Sequence, residues 1–88
     1  MVNLFQFWDS QIPPNEVADL LLSWEGEHNF NYRRFNLDTA DQMIAEYFDN
    51  RTLSAFRQCA IPAMQADFFR YAALYLHGGV YLDADTYN

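Results

Sequence analysis

Asp83 and Asp85 stand two apart at the end of an alternating stretch, Val80-Tyr81-Leu82-Asp83-Ala84-Asp85. Read as an extended strand, this stretch puts Val80, Leu82 and Ala84 on one face and Tyr81, Asp83 and Asp85 on the other. The two carboxylates then lie about 7 Å apart at Cα. Carboxylates that close beside an apolar layer repel each other unless a cation, water or hydrogen-bond donors offset the charge. Their hard oxygen atoms choose Mg2+ or Mn2+ over softer metals. The bland alternative is an acidic turn. A calcium loop of the EF-hand kind fails, because Tyr87 stands where a third oxygen ligand is needed and no closing Glu follows. A second charged pair, Asp67 and Arg70, is spaced by about one helical turn. On a surface such a pair contributes about 0.5 kcal/mol or less. Inside an apolar helix it costs desolvation unless it serves a site.

The element that must present Asp67 and Arg70 is a helix starting near Pro62, a residue that suits a first helical turn. Met64, Phe68, Tyr71 and Tyr75 recur at helical spacing, and Phe68, Phe69, Ala72, Ala73 and Leu74 make the helix apolar almost all round. Gly78-Gly79 ends it by tolerating positive φ. Upstream, Asn3 to Trp8 reads as a buried first strand. Asn15 to about Glu27 reads as a helix, with Val17, Leu20, Leu21 and Trp24 on one face. Phe30 to Leu37 reads as a second strand, although Arg33-Arg34 breaks its alternation. Thr39 and Gln42 suggest a capping box for an amphipathic helix carrying Ala40, Met43, Ile44, Tyr47 and Phe48. Thr52 suits the cap of a shorter one with Leu53 and Phe56. Arg51 and Arg57 read as solvated cations, with a phosphate role as the sharper alternative. The two histidines, His28 and His77, have no metal-ligand spacing, and Cys59 reads as a small apolar side chain.

Three strings carry a resemblance. They are Ala66-Asp67-Phe68-Phe69-Arg70-Tyr71, Leu74-Tyr75, and Gly78-Gly79-Val80-Tyr81-Leu82-Asp83-Ala84-Asp85. Together they resemble the signature of the DXD-containing sugar transferases, a family that includes the initiating α-1,6-mannosyltransferases and capsular polysaccharide transferases. The clostridial glucosylating toxins are more distant relatives. Phe5-Gln6-Phe7-Trp8 is similar to that family's opening strand. The resemblance implies a glycosyltransferase that retains anomeric configuration and uses a UDP- or GDP-hexose with Mn2+ or Mg2+. It implies that Trp8 stacks on the base and Tyr81 packs on the nucleoside. Asp67 is expected to hold sugar hydroxyls, and Arg70 the sugar or the diphosphate. Asp85 is expected to bind the ion directly, with Asp83 acting through water or on the ribose. A carboxylate and a guanidinium fork supply charged acceptors and donors, which is apt chemistry for hydroxyl recognition.

Composition narrows the classes. Net charge is −7, with five arginines and no lysine. That balance argues against nucleic acid, whose binding rests on cations facing phosphate, and against anionic membrane surfaces. No apolar run reaches the roughly 20 residues of a membrane span, and one cysteine excludes an internal disulfide. A bacterial-type cytoplasmic protein, or a trimmed chain, is the expectation. Residues 1–88 read as one α/β domain, the three-stranded, helix-flanked, nucleotide-sugar-binding half of a GT-A (Rossmann-like) fold, cut after the D-x-D strand. A homo-oligomer or a missing C-terminal half is the expected partner. The second functional reading is a catalytically inactive fragment acting as a self-associating interaction module.

Overall fold

The computed structural model describes residues 2–9 and 13–84. Three parallel strands form one sheet in the order β2-β1-β3, with β1 at Val2–Phe7, β2 at Phe30–Phe35 and β3 at Val80–Tyr81. The helix α1, Asn15–Glu25, carries the chain from β1 to β2. Three helices then return it across β1: α2 at Leu37–Tyr47, α3 at Asn50–Arg57 and α4 at Pro62–His77. The α/β architecture expected from the sequence is therefore present, as a partial Rossmann-like sheet.

Alternation along the central strand divides the packing. Phe5 and Phe7 join Phe35, Met43, Ile44, Phe56 and Phe69 in the principal core, while Leu4 and Gln6 point to the opposite face and are also fully buried. Phe69 is the hub of that core. Its ring lies 4.7 Å from Phe35, 5.5 Å from Phe7, 6.5 Å from Phe5 and 6.2 Å from Tyr81, centroid to centroid. One residue of α4 is thereby clamped over all three strands.

Several boundaries differ from the sequence reading, each for a local reason. The α2 capping box forms between Asn36 and Thr39: the Thr39 N–H donates to Asn36 Oδ1 and the Asn36 N–H donates to Thr39 Oγ1, both at 2.9 Å. Asn is a better cap than Thr. The helix therefore starts one turn before the Thr39–Gln42 box and takes Leu37 from the strand. Likewise Asp49, not Thr52, caps α3, accepting from the Thr52 N–H at 2.8 Å and the Thr52 hydroxyl at 2.7 Å. The carboxyl of Asp49 is held below its ordinary range by those two donors.

The helix α4 is not buried all round. Phe69, Ala72 and Ala73 are inside, but Tyr71 and Tyr75 are 71% and 82% exposed, and Asp67 and Arg70 are exposed too. A three-stranded sheet with two short helices covers one side of α4 only. The strand β3 is also shorter than the alternating stretch: it ends at Tyr81, and Ala84 lies in a turn. Within it Tyr81 faces the core, packed on Phe69, while Val80 is exposed.

Candidate functional site

The site is built at the carboxyl end of β1. There the Trp8 N–H donates to the Phe35 carbonyl at 3.0 Å, continuing the pairing to β2 for one residue beyond the strand. On the other side the Leu82 N–H donates to the Phe5 carbonyl, also at 3.0 Å, continuing the pairing to β3. The chain segments leaving both strands are thus fixed side by side. Between them and the first turns of α1 and α4 lies a cavity of about 410 Å3. It is lined by Trp8, Asp9, Val17, Ala66, Tyr81, Asp83 and Ala84, among others. Ligands of open α/β sheets bind outside the carboxyl ends of the strands, which is where this cavity sits. A larger cavity of about 480 Å3 lies beside β2 and α2, lined by Arg33, Arg34, Glu46 and His77 among others. None of the expected site residues lines it.

The structure brings Trp8, Tyr81 and Asp83 to one cavity, with Asp67 and Arg70 within electrostatic reach of Tyr81. Burial pushes the Tyr81 hydroxyl up to about 12. The negative charges of Asp83 and Asp67 add to the rise, and the positive charge of Arg70 opposes it. Tyr81 therefore keeps its proton and remains a hydrogen-bond donor in a field of mixed sign. Asp67 and Arg70 do not pair with each other. The Arg70 guanidinium instead lies 5.7 Å from the centroid of the Tyr71 ring. Arg57 and Asp41 form an ion pair, a two-pronged contact at 2.8 and 3.0 Å. It occupies Arg57, lowers the Asp41 carboxyl and raises the Arg57 guanidinium. The phosphate role weighed for Arg57 has no support in that geometry.

Asp85, expected beside Asp83 on one strand face, lies outside the described residues. Because β3 ends at Tyr81, Asp83 lies beyond the strand. Among the described residues no three His, Cys, Asp or Glu side chains converge. Mg2+ and Mn2+ do not need such a cage. Mg2+ is commonly held by one or two carboxylates plus substrate phosphates and water. Asp83 and Asp9, both in the cavity lining, offer oxygen chemistry that fits such an ion.

Three residues escaped the sequence reading. Asp9, which directly follows the Asn3 to Trp8 stretch, lines the cavity with Asp83. Gln6 is fully buried in the central strand. Its Nε2 donates to the Asp83 carbonyl at 3.2 Å, and its Oε1 accepts from the Tyr32 hydroxyl at 2.9 Å. An amide in the otherwise apolar run from Leu4 to Trp8 was the available signal. Tyr32 carried none, because its partner is 26 residues away in sequence.

Comparison with known proteins identifies a family and several relatives. Residues 2–88 match the model of the family described as glycosyltransferase sugar-binding region containing DXD motif. A putative glycosyltransferase of Saccharomyces cerevisiae is 30% identical over 96% of the chain, which spans 22% of that relative. The initiation-specific α-1,6-mannosyltransferase of Candida albicans is 29% identical over 96% of the chain, which spans 24% of it. An uncharacterised glycosyltransferase of Acanthamoeba polyphaga mimivirus is 34% identical over 66% of the chain, which spans 23% of it. The chain thus covers about a quarter of the length of the curated relatives it matches. No solved structure matches it. No helix among the described residues is long and apolar enough to cross a membrane. With the family model matching nearly every residue, the chain belongs to the glycosyltransferases whose sugar-binding region contains a DXD motif.

Proposed function

We propose that this chain is the donor-binding part of a metal-dependent hexosyltransferase that takes a UDP- or GDP-sugar. The observation that carries the reading is the meeting of Trp8, Tyr81 and Asp83 around one cavity, with Asp67 and Arg70 acting on the Tyr81 hydroxyl. Trp8, half-buried at the cavity wall, offers its ring to the base, and Tyr81 packs against the nucleoside. Asp67 takes sugar hydroxyls. Arg70, exposed and free of a carboxylate partner among the described residues, takes the sugar or the diphosphate. Asp83 and Asp85 hold Mn2+ or Mg2+, Asp85 directly and Asp83 through water or the ribose. Bound there, the ion supplies charge neutralisation for the departing nucleoside diphosphate. The protein's share is to orient the donor and exclude water from it.

The test is calorimetric titration of the chain with UDP- and GDP-hexoses, with and without Mn2+. Binding of one donor class that requires Mn2+ is expected. Absence of binding by every donor in the presence of Mn2+ would overturn the reading. A second reading, an inactive module that associates with its own kind, is favoured by one observation: the exposed rings of Tyr71 and Tyr75 on the outer side of α4.

A further inference from the structure

We propose that Gln6, held by Tyr32, is the positioning residue that fixes the main chain of the D-x-D segment against the sheet. This rests on the donor-binding reading above for its consequence, but not for its geometry. Gln6 sits in the central strand of a parallel sheet, a position that is apolar in most such sheets because both faces are covered. Burying a primary amide there is unfavourable unless its polar atoms find partners. Both do, and both partners lie outside β1. On one side is Tyr32, in the neighbouring strand. On the other is the carbonyl of Asp83 itself.

The location of that second bond gives it its meaning. Strand pairing holds β3 through the Leu82 N–H, bonded to the Phe5 carbonyl. One residue later the D-x-D segment leaves the extended line and turns at Ala84, which is buried. The Gln6 amide takes up the carbonyl at that point of departure, so the direction in which the Asp83 side chain leaves the sheet is tied to a rigid strand. Tyr32 restricts the rotation of the amide by donating to its oxygen, leaving the NH2 group to face Asp83. Burial raises the Tyr32 hydroxyl to about 12, so it remains a donor across the physiological range. Residues behind metal ligands act in this way: they set ligand orientation without touching the ion.

Two variants of the 88-residue chain test the assignment, Gln6→Met, which keeps the length of the side chain, and Tyr32→Phe, which removes one hydroxyl. The first readout is amide hydrogen exchange. Protection of the Leu82 N–H is expected to fall about tenfold or more relative to that of the Trp8 N–H, which reports the β1–β2 side. A residue that merely adds global stability would lower both together. The second readout is Mn2+ affinity in the presence of UDP or GDP, expected to fall about 10- to 100-fold. If Gln6→Met does not fold, Tyr32→Phe decides alone. Unchanged relative protection of Leu82 in a folded variant overturns the proposal, whatever happens to the metal. If the unmodified chain binds neither nucleotide nor Mn2+, the donor-binding reading fails, and the exchange comparison still decides the role of Gln6.

Discussion

Gly79 lies directly against the backbone of Asn3: a Cβ at Gly79 would come within 2.3 Å of the Asn3 carbonyl oxygen and 2.9 Å of its Cβ. Gly79 also has φ +108°, and Gly78 before it has φ +65° with nothing within 4 Å of its own absent Cβ. The two glycines therefore do different jobs. Gly78 turns the chain at the end of α4, and Gly79 lets β3 lie flat beside β1. Gly78→Ala is expected to cost roughly 1–3 kcal/mol from backbone strain alone. Gly79→Ala adds to that strain an overlap with backbone that cannot swing aside, so the larger loss falls there. Urea unfolding of both variants checks the order. Equal midpoints would mean that β3 does not dock as described.

Mn2+-dependent nucleotide binding is expected to weaken in Asp83→Asn and to weaken further in Asp85→Asn. The asymmetry follows from the roles proposed for them, with Asp85 on the ion and Asp83 one step removed. Calorimetric titration with Mn2+ and UDP or GDP reads both variants against the unmodified chain. Equal affinity in all three would remove the metal from this segment.

The elements were legible where a single periodicity dominated, and the site was legible where its residues adjoin in sequence. Phe5 and Phe7 against Phe69 could be expected from an apolar strand followed by an apolar helix. The Gly78-Gly79 break announced the change from helix to strand. Competition between neighbouring caps was harder to read, since Asn36 and Thr39 both suit the role, and it is the reciprocal Asn36–Thr39 box that sets the earlier start. The end of β3 was hidden for a different reason. Alternation of Val80 to Asp85 says nothing about Gln6, 77 residues from Asp83, whose amide takes the carbonyl where the strand leaves the sheet. The exposure of Tyr71 and Tyr75 was equally invisible, because helical spacing does not reveal how much sheet is available to cover the helix.

Alkaline pH should destabilise the fold through Tyr32 and Tyr81. Each hydroxyl has an ordinary value of 10.0 and is raised to about 12 in the folded chain, chiefly by burial. Below pH 10 both folded and unfolded states keep these protons, and the contribution to stability is fully present. Between pH 10 and about 12 the unfolded chain releases them while the folded chain retains them, so stability falls as pH rises. The slope is at most about 1.4 kcal/mol per pH unit for each ring, and solvent screening of the partly exposed rings reduces it. Urea titrations across this range, with Tyr32→Phe and Tyr81→Phe as controls, should show the slope flattening in each variant. An unchanged slope in both would place the two hydroxyls in water.

Self-association of the chain is expected to run through the outer side of α4. Tyr71 and Tyr75 project from it at 71% and 82% exposure, and between them and Phe48, Thr52 and Phe68 lies an apolar cleft of about 340 Å3. The rings of Phe48 and Tyr75 pack together at the wall of that cleft, with centroids 6.0 Å apart. Large exposed rings grouped around a cleft mark interaction surfaces more often than isolated apolar residues do. The charge of −7 works against crowding of copies, so association should strengthen as salt screens that repulsion. Light scattering over a concentration series is expected to show mass rising with concentration, and Tyr75→Glu to return the chain to a monomer by placing a charge in the cleft. A chain that stays monomeric at high concentration and high salt would refute the association. Association undiminished in Tyr75→Glu would move it to the open edges of β2 and β3, where unpaired backbone groups offer the other route.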